Sequence, residues 1–262
     1  MDLQLTDKVI VVTGGDKGIG RAIAQILAQE GALPFIISRK EKDCQSCIAA
    51  IECEGGRADY AIAELTDLTQ CKDAIEKLMQ RHGRIDGVVN NAGVNDGVSL
   101  KQGSYTEFLS SIEKNVGHYF NMVQLCLEGL KTSKGAIVNI SSKVAETGQG
   151  GTSGYAAANG ARNALTREWA VDLIKAGIRV NAIIIAESFT PAYAAWIKTL
   201  ENGEEKLKSI INKIPLENRM TTPDEIAHTA LFTISNKSSH TTGQFLFCDG
   251  GYVHLDRSLL TE

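Results

Sequence analysis

The chain predicts an α/β fold, a doubly wound parallel sheet of seven strands with helices on both faces. Three observations carry that expectation. Short apolar runs rich in β-branched residues, such as Val9-Ile10-Val11-Val12, alternate with amphipathic helical stretches, and that alternation implies a parallel sheet covered on both sides. A glycine turn, Thr13-Gly14-Gly15, joins the first run to a helix opening at Gly18-Ile19-Gly20, whose apolar residues Ile19, Ile23, Ile26 and Leu27 share one face. The length, 262 residues, suits one large domain, expected over 1–262, with a sizeable core.

The remaining elements follow in order. Ala32–Ile37 reads as the second strand, ending at Ser38-Arg39, and a helix covers about 41–54. A third strand near 57–63 and a helix over 67–82 come next. Ile85–Val89 is the fourth strand, ending in Asn90-Asn91-Ala92-Gly93, and a long helical region spans about 104–131. Ala136–Ile140 is the fifth strand, 153–176 a long helix and Ile178–Ile184 the sixth strand. A substrate-loop excursion over about 186–215 is helical over 190–213; a helix over 223–235 and a seventh strand at Gln244–Phe247 complete the chain. Ligands of such sheets bind beyond the carboxyl ends of the strands, which makes motifs at strand ends candidate site residues.

Composition narrows the function classes. The formal net charge is −4 and no run of Lys or Arg stands out, so no nucleic-acid partner is expected. The start, MDLQLTDK, lacks the apolar core of a signal peptide, and no apolar stretch approaches the roughly 20 residues of a membrane helix. A cytoplasmic protein with no membrane contact is the expectation. Among six cysteines, Cys44-Gln-Ser-Cys47 has the spacing of a metal or redox pair. It lies in a helical stretch without a second such pair or a nearby histidine, so free thiols in a reducing compartment and no metal are expected.

The strand, glycine turn and helix N-terminus together form an anion site, because free N–H groups and the helix dipole face a ligand that no side chain keeps away. The spacing is Thr-Gly-x-x-x-Gly-x-Gly, with three residues between Gly14 and Gly18, not the shorter Gly-x-Gly-x-x-Gly. Further motifs occur in order: Asn90-Asn91-Ala92-Gly93; Asn115 within Glu113–Gly117; Ser141-Ser142 at a strand end; Tyr155, 13 residues after Ser142; Thr242-Gly243; and Asp249-Gly250-Gly251. Taken together, over nearly the whole chain, this pattern resembles the short-chain dehydrogenase/reductase family.

The resemblance implies a Rossmann-like fold and hydride transfer between a nicotinamide cofactor and a hydroxyl or carbonyl substrate. It makes Tyr155 the acid/base, Ser142 the hydrogen-bond partner of the substrate oxygen and Asn115 part of the proton relay, with position 159 completing the set. The cofactor residues it implies are Gly14, Lys17, Gly18, Ile19, Gly20, Ser38, Arg39, Glu64, Leu65, Asn91, Ala92, Gly93, Tyr155 and Asn159. Three departures stand out. Glu64 replaces the family's aspartate, Ile185-Ala186 replaces its Pro-Gly and is followed by Glu187, and Asn159 replaces its lysine four residues after the tyrosine. Asn159 shares a helix face with Tyr155 and can hydrogen-bond a ribose hydroxyl, but it carries no charge. An ammonium about 5 Å away at an effective dielectric near 20 stabilises a phenolate by roughly 3 kcal/mol, or about two pKa units. Lys143 or Arg162 could supply that charge instead, or both are ordinary surface cations. The alternative to an active enzyme is a cofactor-binding protein with weak or lost catalysis.

An acid usually closes the second strand where the unphosphorylated cofactor is preferred. Here Ser38-Arg39 stands there and Lys17 lies in the glycine loop, so NADP is the expected cofactor, with NAD possible. Within the family the chain resembles bacterial L-fucose dehydrogenase-like members, through Gly93–Gly97, Ser141–Lys143, Thr147–Gly150, Ala186-Glu187 and Gly251–Arg257. Asn95, Lys143, Gln149 and Glu187 are then the candidate substrate residues, and their polarity suits a sugar or polyol, since each hydroxyl removed from water needs a partner. The family's habit implies a homo-oligomer, a tetramer, built on its long helices and last strand. Phe245, Phe247 and Tyr252 supply aromatic contacts there, or belong to the monomer core.

Overall fold

The computed structural model describes residues 2–256, and Arg257 lies outside them. Seven parallel strands form one sheet in the order β3-β2-β1-β4-β5-β6-β7. They are β1 (Val9–Thr13), β2 (Leu33–Ser38), β3 (Asp59–Ile62), β4 (Gly87–Asn90), β5 (Ala136–Ser142), β6 (Arg179–Ile185) and β7 (Phe245–Cys248). The helices are α1 (Gly18–Gln29), α2 (Glu41–Cys53), α3 (Leu68–His82), α4 (Tyr105–Ile112), α5 (His118–Ser133), α6 (Val144–Thr147), α7 (Ser153–Asp172), α8 (Pro191–Lys198), α9 (Gly203–Ile211) and α10 (Pro223–Ile234).

All five residues of β1 are buried, as an apolar run covered on both faces requires. Its side chains alternate between two cores. Val9 and Val11 face a cluster with Phe35, Leu78, Tyr119, Met122 and Trp169, formed with α3, α5 and α7. Ile10 and Val12 face the other side, with Ile23 and Leu27 of α1 and Ile226 and Leu231 of α10. Cys44 and Cys47 of α2 point into a third cluster with Ala24, Ala28 and Ile36. Burial pushes these thiols up to about 12 and about 11, and all six cysteines are free. Among the described residues no helix is long and apolar enough to cross a membrane.

Several boundaries differ from the sequence expectation. β5 runs on to Ser142 because it stays paired with β6, through Ser142 opposite Ile185. The helical region expected over 104–131 is broken by a π-helical turn at Glu113–Gly117, between α4 and α5. The short helix α6 follows β5 directly, and the expected helix over 153–176 ends at Asp172 before a 3-10 turn at Ile174–Ala176. The excursion after β6 is the pair α8 and α9; Thr190 caps α8 by accepting the Tyr193 N–H at 3.2 Å, with Pro191 at its first position.

Asp86 ties the entry of β4 to that of β1. Its buried carboxylate accepts the Val9 N–H at 2.9 Å, the Arg84 Nε at 2.7 Å and the Lys8 Nζ at 3.2 Å. Burial alone would push the carboxyl up, but the bonds from Arg84, Val9 and Lys8 hold it below its ordinary value. A carboxylate lowered in the folded state adds stability that is full above the unfolded value near 3.9 and is lost as pH falls through the lower folded one. Asp86→Asn should therefore cost roughly 3 kcal/mol at pH 7 in urea unfolding, with the difference from the native chain closing below about pH 3.

Candidate active site

Strand order reverses between β1 and β4, which opens a crevice at the carboxyl ends of the sheet. The glycine loop forms its floor. Gly14 and Gly18 take φ of 63° and 53°, the left-handed region that glycine enters freely. A Cβ on Gly20 would lie 2.2 Å from the Gly14 carbonyl oxygen and 2.6 Å from Asn91 Nδ2, so only glycine fits. Asn91 holds the loop by donating to the carbonyls of Thr13 at 3.0 Å and Gly14 at 3.2 Å. The Thr13 hydroxyl accepts the N–H groups of Asn91 at 2.9 Å and Ala92 at 3.2 Å. Helix α1 opens at Lys17 with no side-chain cap and no acid in its first turn. Its first N–H groups are thus left for an anionic ligand, and the cradle fits the diphosphate of a dinucleotide.

Ser38 and Arg39 close β2, and Glu64 and Leu65 follow β3 beside them. The Ser38 hydroxyl donates at 2.5 Å to Asp16, a buried acid in the glycine loop that the sequence reading did not single out. Arg39 pairs with Glu64 at 3.3 Å and Lys17 with Asp43 at 2.6 Å. The hydrogen bond that Lys17 donates to Asp43 raises the Lys17 pKa, against desolvation. Both cations are well exposed, and ion pairs in water are weak enough for either to turn to a ligand phosphate. Leu65 sends its side chain into the core, and Ile19 packs against the other face, so each offers a ligand mainly its backbone.

At the other end of the crevice the two serines of β5 separate. Ser141 is buried and donates to Asn163 Oδ1 at 2.6 Å, whereas among the described residues the Ser142 hydroxyl meets only the Val144 N–H, at 3.4 Å. Tyr155 lies in the first turn of α7 and is half-buried. Asn115 lies in the π turn; its Oδ1 accepts the Val94 N–H at 2.7 Å and its Nδ2 donates to the Ser111 carbonyl at 2.9 Å.

Asn159 departs from expectation. It is fully buried; Nδ2 donates to the Tyr155 carbonyl at 2.8 Å and Oδ1 accepts from Arg162 Nη1 at 3.0 Å. Both ends of the amide are engaged inside the protein, which leaves no exposed atom for a ribose hydroxyl. Nor is Arg162 a surface cation. It is 2% exposed and donates to the carbonyls of Asn115 at 2.7 Å, Ile140 at 3.1 Å and Ala92 at 3.4 Å. Its guanidinium lies 4.3 Å from the Tyr119 ring and 6.0 Å from the Tyr155 ring. Gly93 makes room for it, since a Cβ there would lie 2.6 Å from Arg162 Nη2.

Of the candidate substrate residues, the structure brings Lys143 and Glu187 together in a buried ion pair. Lys143 Nζ also sits 3.9 Å over the Tyr252 ring. Tyr193 of α8 stands near Glu187, and its ring packs edge-on against Trp196 at 5.2 Å. Asn95 is exposed and accepts from the Thr152 hydroxyl at 2.6 Å, and Gln149 is exposed in the glycine-rich loop over 148–151. Tyr252 was read from the sequence as an assembly contact or core residue, and Tyr193 was not singled out.

His118 packs beneath this site with 1% exposure. Its ring nitrogens lie near the backbones of Ala92 and Lys114 but outside hydrogen-bond geometry. Burial first, and then the Arg162 charge, push it down to about 3. A folded value below the unfolded one near 6.5 means that the unfolded state binds more protons in between, so stability is full above pH 6.5 and falls as the pH drops. Each further pH unit should cost up to about 1.4 kcal/mol, and His118→Leu should flatten that slope in denaturant titrations between about pH 6.5 and 4.

Comparison with known proteins agrees with this geometry. Residues 14–253 match the family model described as enoyl-(acyl carrier protein) reductase. The chain is 33% identical over 252 residues to a 3-oxoacyl-(acyl-carrier-protein) reductase of Thermotoga maritima, covering 96% of this chain and 100% of that one. The crystal structure of the Cj0485 dehydrogenase superposes with a TM-score of 0.92 at 43% identity, over 98% of both chains. The ligand-free aldohexose dehydrogenase of Thermoplasma acidophilum superposes with a TM-score of 0.86 at 28% identity, over 96% of both chains. The glycine cradle, the Asn91 tie and the serine and tyrosine at the crevice thus sit in a chain that belongs to the short-chain dehydrogenase/reductase family of oxidoreductases.

Proposed function

We propose that the protein interconverts a secondary alcohol of a sugar or polyol, L-fucose-like in its polarity, and the matching carbonyl, with NADP as the preferred hydride carrier and NAD as the second. The observation that carries the substrate class is the buried Lys143–Glu187 pair. Taking two charges out of water is costly, and a wall that holds both beside Ser142 suits a ligand whose hydroxyls need donors and acceptors. The tyrosines at 193 and 252 add polar aromatic surface, and the similar Thermoplasma enzyme is named for an aldohexose. Lys17 and Arg39 support NADP, because both cations can reach a 2′-phosphate while a buried Asp16 stays bonded to Ser38.

The nicotinamide, when bound, takes or gives the hydride at the substrate carbon. In oxidation the Tyr155 phenolate accepts the hydroxyl proton as the C–H bond breaks and the carbonyl forms; in reduction it returns that proton. Ser142 holds the substrate oxygen by a hydrogen bond. Asn115, in the π turn, fixes the backbone behind them. We place the protein, a single domain, in the cytoplasm, where its free thiols stay reduced, and as a homotetramer. Exposed Leu109 and Phe120 on α4 and α5 and the edge strand β7 supply contact surface for that assembly. A second reading, cofactor binding with little turnover, rests on the uncharged Asn159.

A panel of aldoses, polyols, secondary alcohols and a 3-oxoacyl thioester, followed by reduced-nicotinamide absorbance, tests the reading. Turnover is expected first with a sugar and NADP, and Tyr155→Phe should lower kcat by roughly two to four orders of magnitude. Turnover of the thioester alone overturns the substrate class, and binding without turnover of any substrate favours the second reading. Arg39→Asp should weaken NADP binding about tenfold or more in calorimetry and leave NAD binding equal or tighter. Equal affinity of the native chain for both cofactors would overturn the preference for NADP.

A further inference from the structure

Arg162 stands apart from the other buried charges. Among the described residues only Lys143 and Arg162 are buried cations, and Lys143 has Glu187 against it. Among the described residues Arg162 has no carboxylate within ion-pair distance; its partners are the carbonyls of Asn115, Ile140 and Ala92 and the Asn159 amide oxygen. A buried guanidinium that meets only neutral acceptors keeps its full charge in a medium that screens poorly. Two phenols lie beside it. Tyr119 is fully buried, donates to the Ile140 carbonyl at 3.1 Å and is pushed up by burial, so it stays neutral. Tyr155 is half-exposed in the crevice, with its ring centroid 6.0 Å from the guanidinium.

We propose that Arg162, three residues beyond Asn159 on α7, supplies the positive charge that stabilises the Tyr155 phenolate. It is a positioning residue: it acts through Tyr155 and also grips the Asn115 carbonyl of the π turn. Asn159 serves as the hinge of this arrangement, joining the Tyr155 carbonyl to Arg162 through one amide. The other titratable groups around them are accounted for. His118 of α5 is neutral, Lys143 beyond β5 is countered by Glu187 beyond β6, and Glu146 of α6 accepts from Asn163. Asp96 accepts from Ser111 of α4, and Tyr252 lies under Lys143. The proposal rests on the reading of Tyr155 as the acid/base, and the test separates the two.

The test is an alkaline titration of tyrosinate absorbance in the cofactor-free full chain, with the Tyr155→Phe trace subtracted so that Tyr155 alone is read. The midpoint of the native chain is the reference for each variant. Arg162→Gln should raise it by about one to two pH units, and Arg162→Lys should hold it within about half a unit. Asn159→Lys added to Arg162→Gln should bring it back down. An Arg162→Gln midpoint equal to or below that of the native chain overturns the proposal. A midpoint raised by Lys143→Met but not by Arg162→Gln overturns it too. Where Arg162→Gln does not fold, Arg162→Lys decides: a midpoint raised with the charge retained assigns the effect to geometry and overturns the charge role. Turnover is the independent readout. Full turnover by Tyr155→Phe removes the acid/base reading whatever the midpoints do. An inactive Tyr155→Phe with unmoved Arg162 midpoints removes the Arg162 role alone.

Discussion

The tie between the carboxyl ends of β1 and β4 is the constraint on which the rest of the structure depends. Asn91 donates two hydrogen bonds to Thr13 there and one to the Gly14 carbonyl, and the Thr13 hydroxyl also accepts the Ala92 N–H. The tie continues as a buried polar chain, from Asn90 to Asn139 at 3.0 Å and from Asn139 to Thr166 of α7 at 2.9 Å. Polar groups inside a sheet are costly unless paired, and pairing across neighbouring strands fixes their relative positions in return. The glycine loop at one end of the crevice and the tyrosine helix at the other are thereby referenced to the same strand ends.

Much of this was legible in the sequence. Strands and helices followed from apolar periodicity, and the glycine loop was readable because its requirement is local: a turn, a positive φ and a helix that must come close. The spacing to Tyr155 selects Ser142 over Ser141 as the candidate serine, and in the structure it is Ser141 that is bonded to Asn163. Features that depend on tertiary contacts were not readable. The π turn at Asn115 has no composition signal of its own. Lys143 and Glu187 are 44 residues apart in the chain and meet only because β5 and β6 run in parallel register. Asn159 and Arg162 share a helix face, but nothing local says that this face turns inward.

The site is also uneven in how firmly its parts are held. At the end proposed for the adenosine, Lys17 and Arg39 are exposed and paired with Asp43 and Glu64. At the end proposed for the reaction, Arg162, Asn115, Asn159 and Ser141 are buried and bonded to backbone or to neighbouring side chains. The first arrangement suits recognition of a ligand that must come and go, since surface pairs exchange partners at little cost. The second suits chemistry, where atoms must already be in place when charge moves.

The open start of α1 reaches beyond binding. A helix whose first donors lack a side-chain cap is less stable on its own than one whose donors are met, and four other helices here, α3, α4, α8 and α10, have a side-chain cap. A phosphate in the cradle fills the place of the missing cap. Ligand concentration and folding free energy are therefore coupled variables, and the apparent melting temperature of the protein becomes a gauge of how much cofactor surrounds it.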